Sequence, residues 1–228
     1  LEALASAGVL TAGVCPRGED PYAPVIIERH GHRVAVFACA GDPIPDLPGS
    51  SDFVMARVDD ARLTSSIRQA RSVADSIIVL HHGGIEYVPF PPPETRERLR
   101  QLTAAGAHAV FTHHPHVVGG MERGHADAII WHSLGDFVFD SLVPQRRIGC
   151  VVLLDLDSRP FEPTIVPTLL GEDLTVDYAP AQVAEVTRNR VARLSACLDS
   201  PRYRRLYPFR HRAPFSWYQF SRLAHLYR

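Results

Sequence analysis

Apolar and polar positions alternate with two different periods along the first half of the chain. β-Branched and apolar residues fill 25–28 and 33–39 with a glycine-containing break between them, a pattern typical of a β-hairpin. From Leu63 to Ala74 the apolar residues recur at helical spacing, which predicts an amphipathic helix. Asp59 or Asp60 can cap the start of that helix.

A second strand–helix–strand unit follows directly. Residues 77–80 form a short apolar run, as in a buried strand, and 109–111 repeat this pattern. Between them, Pro92 and Pro93 open a helix that Gly106 ends. The alternation implies a parallel βαβ unit whose sheet is covered on both faces.

The second half of the chain has strand patterns without helices between them. The runs at 129–131, 150–156 and 164–169 predict strands that are added in antiparallel fashion. A last helix is predicted at 181–198. Its apolar face comprises Val183, Val186, Val191, Leu194 and Leu198.

Composition narrows the classes of protein to which the chain can belong. Its 228 residues are 46% hydrophobic, enough for one domain whose core needs no disulfide support. The 24 basic and 25 acidic residues leave a net charge of −1, so the chain as a whole is not attracted to nucleic acid or to an anionic membrane. Every basic residue is an arginine, which excludes lysine Schiff-base chemistry.

The cysteines and the first residue add further expectations. The four cysteines are far apart and form no C-x-x-C pair, so we expect neither a thiolate zinc site nor a disulfide framework. Cys39 and Cys150 lie in apolar runs and are predicted to be buried. No apolar stretch approaches the roughly 18 residues of a membrane span. Because the chain begins with Leu1 and not Met, we expect an N-terminal part of the parent protein to be absent.

Histidines form three groups, each directly after a predicted strand: His81-His82, His113-His114-Pro115-His116 and His132. The carboxyl ends of parallel strands meet at one edge of a sheet, where α/β proteins bind ligands. The carboxylates nearby in sequence are Glu86, Glu122, Asp136 and Asp140. Imidazole with carboxylate is the ligand set of zinc, manganese or iron. A single histidine at a strand end is usually solvated or satisfied within the core, but three such groups favour a metal site.

His114 and His116 form the best-placed pair. In an extended segment their rings point to the same side, and Pro115 favours an extended backbone at His114. Gly41-Asp42 is similar to a metal-binding Gly-Asp pair, but Pro43 follows it, and we interpret this segment as a turn.

Three blocks also follow one another in a characteristic order. They are His81-His82-Gly83-Gly84-Ile85-Glu86-Tyr87, residues 105–118 with His113-His114-Pro115-His116, and residues 130–140 with Ser133-Leu134-Gly135-Asp136-Phe137. These blocks resemble the H-W-G-x-E-Y, G-H-H-P-H-V and Y-S-L-G-N-F-x-F-D blocks of the capsule-synthesis CapA family, which is associated with poly-gamma-glutamate capsules. The departures are His82 for Trp, Thr112 for Gly, His132 for Tyr and Asp136 for Asn.

The resemblance implies an α/β fold, the layered αββα sandwich of calcineurin-like metallophosphoesterases. It also implies a divalent transition metal (Mn, Fe or Zn), or a pair of them in the full-length protein. The ligands that it implies are His81, His113, His114 and His116. The candidate catalytic residues are Glu86, within the first block, and His132 and Asp136, two departures that add ligating or acid–base capacity.

The upstream metal-binding segments of such enzymes have no counterpart in this sequence. They require an early Gly-Asp and an Asn-Asn-His segment, whereas the one asparagine here is Asn189, in a predicted helix. We therefore expect residues 1–180 to be a CapA-like domain that lacks its N-terminal portion, and 181–228 to be a C-terminal helix and tail. From the 228 residues alone we expect little turnover.

Two functions remain open at this point. The first is a metal-dependent, phosphoesterase-like hydrolase of capsule biosynthesis, active in the full-length parent. The second is a non-catalytic component of a capsule-polymer assembly or export complex with a vestigial metal site. Ser133 is not in a G-x-S-x-G elbow, so nucleophilic catalysis is a poor third. By resemblance the protein is associated with the cell surface or membrane, and its partners are an anionic polymer or capsule-assembly proteins.

The tail at 201–228 has a charge of its own. It carries seven arginines and no acidic residue. Residues 1–200 have a net charge of −8 and residues 201–228 a net charge of +7, and the two nearly cancel in the total. The arginines are Arg202, Arg204, Arg205, Arg210, Arg212, Arg222 and Arg228. The aromatic residues between them are Tyr203, Tyr207, Phe209, Phe215, Trp217, Tyr218, Phe220 and Tyr227. This composition suits an anionic membrane surface or an acidic polymer, with no specific nucleic acid expected, and the alternative is that the aromatic residues pack on the domain.

Deleting 201–228 tests these alternatives. If the tail binds anionic surfaces, the intact chain co-sediments with anionic vesicles at low salt and is released at high salt, whereas the truncated chain does not bind. Neutral vesicles are the control. Equal binding of both chains to anionic lipid and to polyglutamate would assign the tail to packing.

Overall fold

A six-stranded sheet organises the chain in a computed structural model that describes residues 1–49, 51–140, 146–200, 203 and 207. The helices are α1 (Glu2–Ser6), α2 (Ala61–Ala70), α3 (Pro93–Ala105) and α4 (Ala181–Leu198). The strands are β1 (Val14–Pro16), β2 (Val25–Arg29), β3 (His32–Ala40), β4 (Phe53–Met55), β5 (Ser76–His82), β6 (Ala109–His113), β7 (Met121–Arg123), β8 (Ile129–Trp131), β9 (Ile148–Leu153), β10 (Thr164–Leu170) and β11 (Val176–Tyr178).

The six-stranded sheet has the strand order β2-β3-β5-β6-β8-β7. β3, β5, β6 and β8 run parallel, while β2 and β7 pair antiparallel at the two ends of the sheet. Helix α2 connects β3 to β5, and α3 connects β5 to β6. The hairpin and the parallel βαβ arrangement expected from the hydrophobic pattern are therefore confirmed.

One face of this sheet packs against α2 and α3. Leu63, Ile67, Leu99 and Leu102 of the helices are fully buried in the same cluster as the sheet residue Ile77. Helix α3 begins with a proline in its first turn and ends at Gly106, whose φ of 123° is a conformation that favours glycine. Both boundaries follow the sequence signals.

The other face packs against a second sheet. Strands β9, β10 and β11 form an antiparallel three-stranded sheet, and Cys150 of β9 joins the cluster that contains Phe111 and Trp131 of the six-stranded sheet. Helix α4 contacts β7 and β10. The layered α/β sandwich is therefore confirmed, as is the burial of Cys39 and Cys150. All four cysteines lie in the described part of the chain, and all are free.

The apolar face of α4 is only partly the predicted one. Val191, Leu194 and Leu198 are buried, but Val186 is 63% exposed. The buried positions in the first half of the helix are Ala184 and Thr187, one residue further along the chain in each turn. Neither is a large apolar residue, so a pattern based on such residues does not identify these positions. No helix among the described residues is both long and apolar enough to cross a bilayer.

Two aromatic residues of the tail pack on the domain. Tyr203 and Tyr207 are buried against Leu198, Ile85 and Phe90. The other tail residues named above lie outside the described residues. They are Arg202, Arg204, Arg205, Arg210, Arg212, Arg222, Arg228, Phe209, Phe215, Trp217, Tyr218, Phe220 and Tyr227.

Asp60 caps α2, and this interaction predicts a pH-dependent contribution to stability. Its carboxylate accepts a hydrogen bond from the backbone N–H of Arg62 at 2.8 Å and another from the Tyr22 hydroxyl at 2.8 Å. Side-chain hydrogen bonds from Arg62 lower the pKa of Asp60 to about 2.

We expect Asp60→Ala to lower the free energy of unfolding by about 1 kcal/mol at pH 7, as measured by urea denaturation. Because the pKa of Asp60 is lowered in the folded state, this contribution is present above pH ~4, near the unfolded pKa, and is lost as the pH falls to about 2. Asp59→Ala, at the exposed neighbouring position, is the control and should change little. Equal destabilisation by both variants would contradict the capping role.

Candidate metal centre

The three histidine groups lie at one edge of the six-stranded sheet. β5, β6 and β8 are neighbours and parallel, so their carboxyl ends coincide. β5 and β6 are longer than predicted, because the parallel ladder continues through the pairs Cys39↔His81 and His82↔His113. His81, His82 and His113 are therefore strand residues rather than loop residues.

Glu86, His114 and His116 come together as one cluster. Each offers a ligand atom, and these atoms all lie within 4.8 Å of one another. All three side chains are half-buried, and the ring centroids of His114 and His116 are 5.8 Å apart. Two imidazoles and one carboxylate match the ligand chemistry of a divalent transition metal.

The backbone achieves this arrangement without an extended segment, so the prediction for His114 is wrong. β6 ends at His113, and the φ angles of His114 and His116 are 103° and 57°. Tyr87 next to Glu86 also has a positive φ, of 65°. Backbone hydrogen bonds hold these loops together, from Tyr87 N–H to Pro115 C=O at 2.8 Å and from Gly83 N–H to His113 C=O at 3.0 Å. Strained conformations of this kind concentrate at functional sites, where the surrounding structure maintains them.

Asp136 orients the ring of His116. Nδ1 of His116 donates to Oδ1 of Asp136 at 2.7 Å, because a carboxylate can only accept. This leaves Nε2 of His116 as the nitrogen with a lone pair for a metal. Oδ2 of Asp136 is buried without a hydrogen-bond partner among the described residues. A carboxylate behind a ligand histidine is a common arrangement at metal centres.

His81 is fully buried at the same edge of the sheet. Its Nδ1 lies 3.2 Å from Oγ1 of Thr112, whereas Nε2 has no hydrogen-bond partner among the described residues. A Cβ atom on Gly41 would lie 2.4 Å from Nε2, so only glycine at this position leaves space beside the nitrogen. Burial, followed by the charges of His132 and His82, lowers the pKa of His81 to about 3, which keeps the ring neutral as a ligand requires.

His113 borders an apolar cleft. The cleft has a volume of about 240 Å³ and is also lined by His81, His82, Cys39 and Leu80. Burial and then the charge of His82 lower the pKa of His113. The ring of His82 lies 5.2 Å from that of His114, measured between centroids, so it connects this cleft to the Glu86 cluster.

Asp42 forms part of a turn, as the sequence indicated. The N–H of Ile44 donates to the carbonyl of Gly41 at 2.9 Å, which closes the turn. The exposed Asp42 carboxylate pairs with Arg98 at 3.3 Å and with Arg57 at 3.9 Å. Its backbone carbonyl accepts from the N–H of Gly84, so this turn supports the loop that precedes Glu86.

His132 belongs to a buried network that the sequence did not reveal. Its Nε2 lies 2.8 Å from Oε1 of Glu122, a carboxylate with no exposed surface. Arg96 donates to the same carboxylate from Nε at 2.8 Å and from Nη2 at 2.6 Å, and Arg100 donates from Nε at 3.1 Å. Burial disfavours the charge of Glu122, but the hydrogen bonds of His132 and Arg96 outweigh it and hold the pKa below its ordinary value.

The spacing of Arg96 and Arg100 was the available signal for this network. The two arginines are four residues apart and share one face of α3, above a glutamate in a short strand. Burial lowers the pKa of His132, against the opposing influence of its hydrogen bond to Glu122.

The rim of the Glu86 cluster is aromatic. The ring of Tyr87 stacks on that of His116 with centroids 6.1 Å apart, and the guanidinium of Arg146 lies 3.8 Å from the Tyr87 centroid. Phe139 also approaches His116, with a centroid distance of 4.7 Å. Phe137 and Val138 beside it are more than half exposed, which leaves an apolar surface next to the cluster.

These features define an α/β protein with an imidazole–carboxylate site at the carboxyl edge of a parallel sheet. Residues 1–141 match the model of the bacterial capsule synthesis protein family PGA_cap, and the chain belongs to this family.

Two curated relatives and two solved structures are similar to the chain. The PGA biosynthesis protein CapA of Bacillus subtilis (strain 168) is 39% identical over 86 residues, which cover 38% of this chain and 22% of that protein. The capsule biosynthesis protein CapA of Bacillus anthracis is 39% identical over 67 residues, 29% of this chain and 16% of that protein. The matched stretches thus span less than a quarter of either relative.

Among solved structures, a putative 5'-nucleotidase from Staphylococcus aureus has a TM-score of 0.48 at 16% identity, over 79% of this chain and 36% of that chain. The NAD nucleotidase of Haemophilus influenzae has a TM-score of 0.43 at 9% identity, over 81% of this chain and 40% of that chain.

The cluster predicts that metal binding depends on His114 and His116. We expect the purified chain to bind Mn, Fe or Zn, and His116→Ala to weaken binding by at least about tenfold, because a ligand is lost and Asp136 is left without its partner. Isothermal titration and metal analysis after dialysis measure this. The control is His125→Ala, which changes an exposed histidine. Equal metal content in the wild type and His116→Ala would contradict the site.

Proposed function

We propose that this chain carries the metal site of a hydrolase-like capsule-biosynthesis protein that acts on a phosphate or related ester. The observation that carries the proposal is the Glu86–His114–His116 cluster, whose ligand atoms lie within 4.8 Å of one another in a chain of the capsule synthesis family. A divalent transition metal bound there would supply hydroxide near neutral pH and would stabilise charge on the reacting oxygens.

Each residue of the site would have a separate role in metal binding or proton transfer. His114 and His116 would hold the metal, and Asp136 fixes the ring of His116 by accepting a hydrogen bond from its Nδ1–H. Glu86 is a third ligand or, where it stays unbound, the base that takes a proton from the attacking water. His81 lies deeper at the same edge and would serve a second metal position through its unpartnered Nε2.

The substrate that we propose is an anionic polymer at the cell surface or membrane. The curated relatives are named for PGA and capsule biosynthesis, which supports this assignment. On this proposal, Arg146 over Tyr87 places a positive charge at the rim, where a negatively charged chain would approach.

A second candidate function is assembly or export of a capsule polymer without catalysis. The small number of ligands favours this function, because the cluster found among the described residues, Glu86 with His114 and His116, offers three ligand groups. A two-metal hydrolase also needs a carboxylate that bridges the metals.

Turnover by the full-length protein distinguishes the two functions. We expect Mn-dependent hydrolysis of a generic phosphodiester such as bis(p-nitrophenyl) phosphate, and Glu86→Gln should reduce kcat by about 100-fold or more through loss of a ligand or base. Glu97→Gln, at an exposed position of α3, is the matched control and should retain activity. A protein that binds metal through His116 but has no esterase activity on a panel of phosphate esters would support the assembly role.

A further inference from the structure

The loop that carries Glu86 has little backbone structure of its own. Residues 83–92 lie between the end of β5 and the start of α3, outside every strand and helix. Pro89, Pro91 and Pro92 have no N–H group, so they cannot donate backbone hydrogen bonds. The position of this loop, and with it that of the Glu86 carboxylate, therefore depends on contacts with other segments.

Hydrogen bonds to the His114 loop supply the first set of these contacts. The N–H of Tyr87 donates to the carbonyl of Pro115 at 2.8 Å, and that of Gly83 donates to the carbonyl of His113 at 3.0 Å. Both bonds lie at or before Tyr87. The residues that follow Tyr87, up to the start of α3, need a different support.

The second set of contacts comes from the C-terminal part of the chain. Leu198, Tyr203 and Tyr207 form a buried cluster, and Ile85 and Phe90 of the Glu86 loop pack against it. We call Leu198, Tyr203 and Tyr207 the C-terminal cluster. Because Ile85 directly precedes the candidate ligand in the sequence, the C-terminal cluster contacts the loop next to that ligand.

Tyr203 makes the most specific of these contacts. Its hydroxyl donates a hydrogen bond to the carbonyl of Pro91, and its ring centroid lies 6.4 Å from that of Phe90. The residue is 2% exposed. Burial raises the pKa of Tyr203, so the hydroxyl keeps the proton that this hydrogen bond needs.

Tyr203 is itself held by α3 and by the end of α4. Its N–H donates to the carbonyl of Ser200 at 2.9 Å, and the guanidinium of Arg96 lies 4.8 Å from its ring centroid. Arg96 in turn donates from Nε to the buried carboxylate of Glu122 at 2.8 Å. The ring of Tyr203 thus packs on a side chain that the core holds in place.

We propose that the C-terminal cluster is part of the metal site, because it holds the loop in the position that keeps Glu86 within ligand distance of His114 and His116. Tyr203 is a positioning residue in this arrangement, since it contacts the loop and not the cation. The C-terminal cluster lies beyond residues 1–141, which match the family model, so a segment outside the family match shapes the site. The proposal rests on the proposed function, because it takes Glu86 as a metal ligand, whereas the contact between the C-terminal cluster and the loop is a property of the metal-free chain.

Hydrogen exchange of the metal-free chain tests whether Tyr203 holds the loop. Tyr203→Leu removes the hydroxyl and the aromatic ring, so the amides of Tyr87 and Val88 should exchange at least about tenfold faster, while those of β3 change little. Tyr22→Phe is the control, because it removes the hydroxyl of a buried tyrosine that packs in the α2–α3 cluster. Unchanged exchange of the loop amides in Tyr203→Leu would overturn the proposal.

A double-mutant cycle tests whether Tyr203 acts through Glu86. Isothermal titration with Zn is carried out on the wild type, Tyr203→Leu, Glu86→Gln and the double variant. We expect Tyr203→Leu to weaken Zn binding by about tenfold when Glu86 is present, and by less than about twofold when it is replaced. Equal weakening in both backgrounds would show that Tyr203 supports only the fold, and it would overturn the proposal.

Tyr203→Phe keeps the ring and loses only the hydrogen bond to Pro91. It should retain most of the Zn affinity, with loop exchange between that of the wild type and that of Tyr203→Leu. If Tyr203→Leu does not fold by circular dichroism, Tyr203→Phe replaces it in both measurements, with smaller changes of the same sign. A Tyr203→Phe chain that matches the wild type in both would then overturn the proposal.

The two measurements separate this proposal from the proposed function. Faster loop exchange in Tyr203→Leu, together with no effect of Glu86→Gln on Zn affinity, would support the contact and count against Glu86 as a ligand. Zn affinity that depends on Glu86, together with unchanged loop exchange in Tyr203→Leu, would support the proposed function and overturn the role of the C-terminal cluster.

Discussion

Parallel pairing of β3, β5, β6 and β8 is the constraint on which both the core and the candidate site depend. Because these strands run in one direction, alternate residues face the α2–α3 layer, and the same register that stacks Val79 and Val110 places His81 level with Thr112 two positions later. The apolar part of each strand thus forms the core, and the polar part that follows forms the edge. A slip of one residue would turn the histidines to the opposite face.

The loops beyond this edge bring Glu86, His114 and His116 together at the cost of strained backbone conformations. His114 and His116 have positive φ angles, which are unfavourable for residues with a side chain. Two backbone hydrogen bonds between the Glu86 loop and the His114 loop compensate by linking them, and Asp136 fixes the ring of His116. The cluster is therefore assembled by contacts between segments that are distant in sequence, and no single motif contains it.

This division explains how much the sequence could predict. The hairpin, α2, α3, α4 and the shared edge follow from hydrophobic periodicity and helix-end residues, which are local signals, and the structure confirms them. The ends of β5 and β6 were misjudged because histidine carries no strand signal, and the backbone of His114 was misjudged because the effect of Pro115 is overridden by loop pairing. The Glu122 network was missed, since burial of a glutamate depends on arginines that the fold brings from α3.

The burial of Glu122 is best understood through what it does to its neighbours. An ion pair taken out of water gains little stability over an apolar replacement, so its presence in the core is weak support for a purely structural role. Its effect on His132 is specific. Arg96 and Arg100 hold Glu122 as a hydrogen-bond acceptor, so the contact with His132 requires a proton on Nε2 of His132. His132, which donates to this acceptor, is one of the positions at which the sequence departs from the family blocks that it resembles. Tyrosine at this position has no ring nitrogen, so the imidazole contact with Glu122 depends on this departure.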